Sequence, residues 1–244
     1  MATHYCAHAD ISTFLQVSNF TGDTTPQSDA VDAFINMAEK RIDLLTNHVW
    51  HTSRASEHGK VTDERCRVQT VRSNAINSRG RIQLAHYPIV TLAGGSGDTV
   101  KIWDGSSYVD YVATKTMGSS VTDVVNKDYW VDTERGLIYI ENYASFNLLN
   151  SSPAGVGAYV TYRYATAATP DDIKLATIYL TAATIAMNDD LNLMPEGDDS
   201  MDNSTKSQKF EDMAMKILKD NRRMDRDMKM ARAIGGFGTG MVTP

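Results

Sequence analysis

The chain is short of the residues from which small functional sites are usually built. Its 244 residues hold two cysteines, Cys6 and Cys66, far apart in the sequence. No Cys-x-x-Cys is present, which argues against a disulfide scaffold and fits a reducing compartment. No basic segment followed by an apolar one opens the sequence, so no signal peptide is expected. The longest apolar run, Ile173–Met187, contains Lys174, Thr177, Thr181 and Thr184 and is too short to span a bilayer comfortably, so no membrane is expected as a partner. Gly-x-Ser-x-Gly and His-Glu-x-x-His are missing as well. Gly94-Gly95-Ser96-Gly97 is glycine-rich, but no Lys-Ser/Thr follows and no helix opens from it. A phosphate cradle needs a strand before its glycines and a helix N-terminus after them, so a plain loop is expected. The carboxylates are scattered and form no pair that can be read from spacing. The expectation is a protein with no catalytic residues, no cofactor and no metal site.

The histidines do not change this. His4-Tyr5-Cys6-Ala7-His8 sets three soft ligands at alternate positions, but a metal site needs further ligands and a supporting shell. The segment reads as an unstructured terminus. His48, His51 and His58 fall at or after a helix end, where an imidazolium would complement the C-terminal dipole.

Charge is modest overall, −6, which disfavours global binding to nucleic acid or to an anionic membrane. Between Lys206 and Arg232, however, nine Lys/Arg stand against five Asp/Glu. Lys216, Lys219, Arg222, Arg223 and Arg226 are the central basic residues there, candidates for contact with nucleic-acid phosphates or an acidic partner. The acids Glu211, Asp212, Asp220, Asp225 and Asp227 interleave with them, as on a solvated helix face. Nine of the twelve methionines lie from Met187 onward. Their flexible thioethers suit either core filling or an adaptable contact surface, and both readings stand.

What is present is a change of period at Pro170. Val156, Ala158, Val160, Tyr162 and Tyr164 recur every second residue, as on a strand. After Pro170 comes a helix apolar over most of its circumference, which must be buried on several sides. Thr169 is placed to cap it, with Pro170 at the first helical position. Thr25-Pro26 repeats that signature before a helix predicted from Ser28 to about Trp50. There Val31, Phe34, Ile35, Ala38, Ile42, Leu45 and Val49 face inward, and Asp32, Glu39, Lys40 and Asp43 outward. Ile11, Phe14, Leu15, Val17 and Phe20 suggest a brief helix before it. Around six short strands are expected between Arg65 and Tyr164, with hairpin signals at Asp104-Gly105 and Asp132–Gly136. A final helix is predicted from about Ser204 to Ala233, with Phe210, Ala214, Ile217, Met224, Met228 and Ala231 on one stripe and Asn221 as its polar member. Gly235–Gly240 ends the chain as a tail.

The expected fold is thus α+β, a helical bundle with an inserted small antiparallel β module. Residues 1–60 form an N-terminal arm and the first long helix, and 61–168 the β module. Residues 169–203 form the buried helix and an acidic loop, and 204–244 the C-terminal amphipathic helix and tail.

The order of these pieces resembles the head–tail connector, or adaptor, proteins of tailed bacteriophages and related archaeal viruses. The residues that carry the resemblance are Ala38-Glu39-Lys40-Arg41-Ile42-Asp43, His86-Tyr87-Pro88-Ile89, Asp128–Asp132, Gly136–Ile140, Val160–Tyr164 and Pro170–Ala176. It spans about Ile11 to Asn188. The resemblance implies a virion protein at the head–tail junction, made in the host cytoplasm. It implies a ring, typically twelvefold, of copies beneath the portal protein, extending the DNA channel without sequence specificity and receiving the next neck or tail component. It makes Ser204–Pro244 the candidate portal-contacting arm, with Phe210, Met213, Met215, Ile217, Met224, Met228, Met230 and Phe237 as interface candidates. The alternatives are another neck or tail-completion protein, a nucleic-acid-binding regulator using the basic helix, and, weakest, an enzyme with a β-rich lid.

Overall fold

Six helices and nine strands make up the described part of the chain, residues 3–72, 78–119, 127–141, 157–187 and 203–221 of a computed structural model. The helices are α1 (His8–Leu15), α2 (Ser28–Thr46), α3 (Ala55–His58), α4 (Tyr111–Thr114), α5 (Asp171–Met187) and α6 (Asn203–Asn221). The strands are β1 (Lys60–Cys66), β2 (Gln69–Arg72), β3 (Ser78–Gln83), β4 (Thr99–Trp103), β5 (Tyr108–Asp110), β6 (Met117–Gly118), β7 (Tyr129–Asp132), β8 (Leu137–Ile140) and β9 (Ala158–Arg163). The α+β class follows the periodicity of the sequence. The chain divides into two units, one from the described residues of Met1–Arg54 and Ala167–Met224, the other from those of Ala55–Thr166.

The helical unit is built around α5. Ile173, Ala176, Ala182, Ile185 and Ala186 are buried, and α1, α2 and α6 all pack on the helix. Val31 and Ile35 of α2 cluster with Ile178 and Ile185, whereas Ala38 and Ile42 cluster with Ile173, Ala176 and Leu180. α2 therefore runs antiparallel to α5. At one end of the α5–α6 pair Ser207 Oγ donates to the Ala183 carbonyl, and at the other Asn221 Nδ2 donates to Asp172. α6 is therefore antiparallel to α5 and parallel to α2. Asn221 is half-buried, and its side-chain amide also donates to the Ile217 carbonyl at 3.1 Å.

Helix ends are where the sequence misleads. α2 stops at Thr46 and not near Trp50, because Asn47 takes the left-handed conformation (φ 52°) and its N–H bonds back to Asp43. Val49 and Trp50 are buried from the segment beyond it. Gln27 occupies the N-cap and Ser28 begins the helix, so Pro26 precedes the first turn and does not sit in it. At α5 the Pro170 carbonyl accepts the first helical bond, from Lys174 N–H at 2.9 Å. Thr169 Oγ1 turns to the His4 carbonyl and does not cap. The aspartates do what the dipole favours: Asp171 and Asp172 form the first turn, with Asp172 Oδ1 on the Ile173 N–H.

The β unit holds two sheets, β1-β9-β4-β5 and β2-β3-β8-β7-β6, antiparallel throughout except for the β6–β7 pair. Nine strands replace the six expected because β1, β2 and β6 lack alternating apolar residues. Val160 and Tyr162 of β9 lie buried opposite Val100 and Val61, respectively. Both predicted turns form. Asp104 Oδ1 accepts the N–H groups of Ser106 and Ser107 at 2.7 and 2.8 Å, with Gly105 at φ 109°. Gly136 (φ 61°) joins β7 to β8, and a Cβ there would lie 3.0 Å from Tyr87 Cβ. Gly94–Ser96 is a short 3-10 turn leading into β4. It is tied by Asp98, which accepts from Ala93 N–H and from Arg163 at 2.9 Å.

Candidate interaction surface

The C-terminal helix, singled out by sequence, presents two kinds of face. Ser207, Ala214 and Leu218 are buried against the other helices, with Phe210 and Ile217 half-buried beside them. Ser207 and Leu218 belong to the packed stripe as much as the predicted Phe210, Ala214 and Ile217. Phe210 packs edge-on to Phe14, with ring centroids 5.6 Å apart, and is near-parallel to Tyr179. Met213 and Met215 lie outside the stripe, 43% and 38% exposed. Two positions apart on a helix, they project about 200° from each other. Lys216 and Lys219 are exposed, as are Asp212 and Asp220. Met224, Met228, Met230, Phe237, Arg222, Arg223 and Arg226 lie outside the described residues.

Along α2, Met37, Arg41 and Leu44 form one exposed stripe, with Leu44 83% exposed and Met37 58%. Arg41 pairs with Glu211 of α6, which sets this stripe beside the Met215 flank. These apolar residues were not singled out from sequence. Their signal was present: Met37 and Leu44 fall on the charged side of the helical wheel.

Beneath the surface lies a cluster that contradicts the expected outward placement of Glu39 and Asp43. Both are buried, at 0% and 8% exposure, around the 2%-exposed Arg54. Arg54 Nη1 is 2.5 Å from Glu39 Oε2, and its Nη2 and Nε are 2.9 and 3.2 Å from Asp43 Oδ2. One cation and two carboxylates leave an excess negative charge, which the N-terminal segment satisfies. His4 and Tyr5 N–H groups each donate to Glu39 Oε1 at 2.7 Å. The Tyr5 hydroxyl donates to Asp43 and accepts the Trp50 N–H at 2.8 Å. Burial, then the Asp43 carboxylate, raises the Tyr5 pKa far above its ordinary value. Burial alone would lower that of Arg54, but Asp43 and then Glu39 outweigh it, so the net shift is upward. The segment expected to be an unstructured terminus is thus part of the core.

The histidines are likewise redistributed. His48 is 2% exposed and packs edge-on to Trp50 at 4.6 Å, so its ring belongs to the core. His51 stacks on His4 at 5.6 Å, and burial followed by repulsion from His4 lowers its pKa. His58 ends the short α3. Cys6 is buried, and its surroundings push the thiol up to about 12, chiefly through burial and the Glu39 charge. Among the described residues no group of three or more His, Cys, Asp or Glu could hold a metal ion, and no helix is long and apolar enough to cross a membrane.

The β unit repeats the same device. Tyr162 donates its hydroxyl to Glu64 at 2.6 Å and accepts the His86 N–H at 3.1 Å, while Ala85 N–H donates to Glu64. In each unit a buried tyrosine relays a carboxylate to the backbone of a neighbouring segment. Charge satisfaction of this kind holds segments together.

No protein-family model matches the chain, and no curated protein matches it either. Among solved structures, a chain from the neck of an empty GTA particle computed with C6 symmetry is similar over 86% of this chain and 92% of its own length. The identity is 12% and the TM-score 0.37.

Proposed function

We propose that this is a non-enzymatic virion protein of the neck, and more finely the adaptor whose copies form a ring between the portal protein and the next neck or tail component. The observation that carries the reading is the division of the helical unit by an inserted β unit: α1 and α2 precede the insertion, and α5 and α6 follow it. That is the arrangement implied by the order of sequence pieces on which the adaptor resemblance rests. Each piece takes a structural place. Ala38–Asp43 supplies core and buried charge, Gly136–Ile140 a turn and β8, Val160–Tyr164 most of β9, and Pro170–Ala176 the start of α5.

In this reading twelve copies surround the DNA channel at the head–tail junction, and the C-terminal segment contacts the portal. Exposed Met213 and Met215 suit an interface within the assembly, since apolar thioethers adapt to a partner surface, and the portal contact is assigned to the segment after Asn221. The nucleic-acid regulator draws less support, because Asp212 and Asp220 share the exposed face with Lys216 and Lys219.

The test is binding to purified portal assemblies from the same genome. Deleting residues 204–244 would remove buried Ala214 and Leu218 and unfold the helical unit, so the informative truncation ends at Asn221. The full chain is expected to co-sediment with the portal, and the truncated chain to lose most of that binding while its helical unit still unfolds cooperatively. Unchanged binding by the truncated chain would remove the portal role from the arm. No binding by the full chain would remove the adaptor reading itself.

A further inference from the structure

A denser positive charge than that of the C-terminal helix lies in the β unit. Arg65, Arg67, Arg72, Arg79 and Arg81 follow one another with no lysine among them, and no Asp or Glu occurs from Arg65 to Gly97. The longer Lys206–Arg232 segment sets nine cations against five acids, an excess of only four. The fold gathers the five arginines at one sheet edge. Arg65 belongs to β1 and Arg67 to the link into β2, and both are exposed. Among the described strands β2 ends its sheet and pairs with β3 alone. The register sets Arg81 opposite Gln69, Arg79 opposite Val71 and Arg72 opposite Ser78. Arg81 Nη2 donates to Gln69 Oε1 at 2.6 Å, while its Nε has no acceptor among the described residues. The guanidinium is thus only partly satisfied within the chain.

The surrounding acids are bonded elsewhere or set back. Asp63 pairs with Lys101 at 3.2 Å, and Glu64 accepts from the Tyr162 hydroxyl and the Ala85 N–H. Asp128 and Asp132 lie at β7, which β8 separates from β3, and accept from Thr116 and from the Arg135 N–H. Exposed Glu134 adjoins exposed Arg135 in the turn. Glu141 alone stands beside β3, directly after Ile140, the register partner of Gly80. Counted against the five arginines, it still leaves four net positive charges.

We infer that this β2–β3 edge contacts the phosphates of duplex DNA without base specificity. An interface with a folded protein is apolar and poor in charge at its centre, whereas this edge is rich in arginine, whose planar fork fits phosphate oxygens. Arg79 and Arg81, alternate residues of one strand, are about 6.7 Å apart along it, close to the step between successive phosphates of a nucleic-acid strand. The inference deepens the neck reading, which supplies DNA as the polyanion, and it assigns the contact to the β unit and not to α6.

Fluorescence anisotropy of a labelled duplex, titrated with the full chain over a range of salt concentrations, tests it. Binding is expected at low salt, equal for duplexes of unrelated sequence. Arg65→Gln with Arg67→Gln, both at exposed positions, should lower the slope of log affinity against log salt by about 0.9 for each arginine removed. Arg72→Gln with Arg79→Gln should do the same. Lysine at these positions keeps the charge and should restore the slope, which a merely structural role would not require. No binding at low salt, or a slope that the glutamine variants leave unchanged, would overturn the inference. So would loss of binding in Lys216→Gln with Lys219→Gln but not in the arginine variants, which would place the contact on α6. Preference for a polyglutamate peptide over the duplex would mark an acidic protein partner and overturn it too. The portal assay keeps the two readings apart. Portal binding without DNA binding would remove this surface and leave the adaptor reading standing, and DNA binding without portal binding would do the reverse.

Discussion

Two carboxylates one turn apart on a helix repel each other, and Glu39 and Asp43 sit at that spacing on α2. Burying both is tolerable only because Arg54 lies between them and the His4 and Tyr5 amides and the Tyr5 hydroxyl supply further donors. Replacing Arg54 with Met strands both charges, and removal of one partner from a buried ion pair costs about 3–5 kcal/mol. Urea unfolding is expected to show a loss of that size. Tyr5→Phe keeps the ring and removes only the hydroxyl, leaving Asp43 and the Trp50 N–H each short of a partner; about 1–3 kcal/mol is expected in the same measurement. His51 gives a pH dependence. Its folded pKa lies below the ordinary 6.5, so the unfolded chain binds the proton more readily. Its contribution is present above 6.5 and is lost as pH falls toward the folded value. Thermal melts from pH 7.5 to 5 should fall less steeply for His51→Asn than for the parent chain. None of this was legible from periodicity, which assigns charged residues to the solvent side. The like-charge spacing of Glu39 and Asp43 was the available hint, but which cation answers it depends on a chain reversal after Asn47.

The elements were legible where apolar spacing or turn residues marked them: α2 by one buried face, α5 by an apolar circumference, and the hairpins at Asp104-Gly105 and Asp132–Gly136 by their turn residues. The strands without alternation, β1, β2 and β6, were not, because pairing with a neighbour and not a pattern of their own makes them strands. Helix ends were misplaced because Thr-Pro marks a probable start, whereas the cap is decided by which carbonyl the first free N–H meets. In α6 the stripe was found, but Leu218 was missed and the methionines were left between core and surface. The structure separates them, and mutation can check the separation. Leu218→Ala should cost about 2–5 kcal/mol, since its side chain is 3% exposed in the core with Ala214 and Ile42. Met213→Ser with Met215→Ser should change stability by no more than about 0.5 kcal/mol. If the double variant unfolds as readily as Leu218→Ala, the methionines are core and not surface.

At the scale of the molecule, sequence supplied an order of pieces and the structure supplies what each piece does. Helices separated in the chain by the whole β unit share one core, and the unit they form presents Met37, Leu44, Met213 and Met215 outward. Met37 and Leu44 form an exposed apolar stripe on α2, and a stripe of that kind suits a surface that an assembly covers. That surface fits the proposal of a part of a particle, which rests on the inserted β unit. Its place in the particle is read most directly by electron cryo-microscopy of the intact virion, with the protein extended by a small folded tag at its C-terminus. The account predicts tag density in a ring at the head–tail junction, between portal and tail. Tag density elsewhere in the particle, or its absence from purified particles, would contradict it.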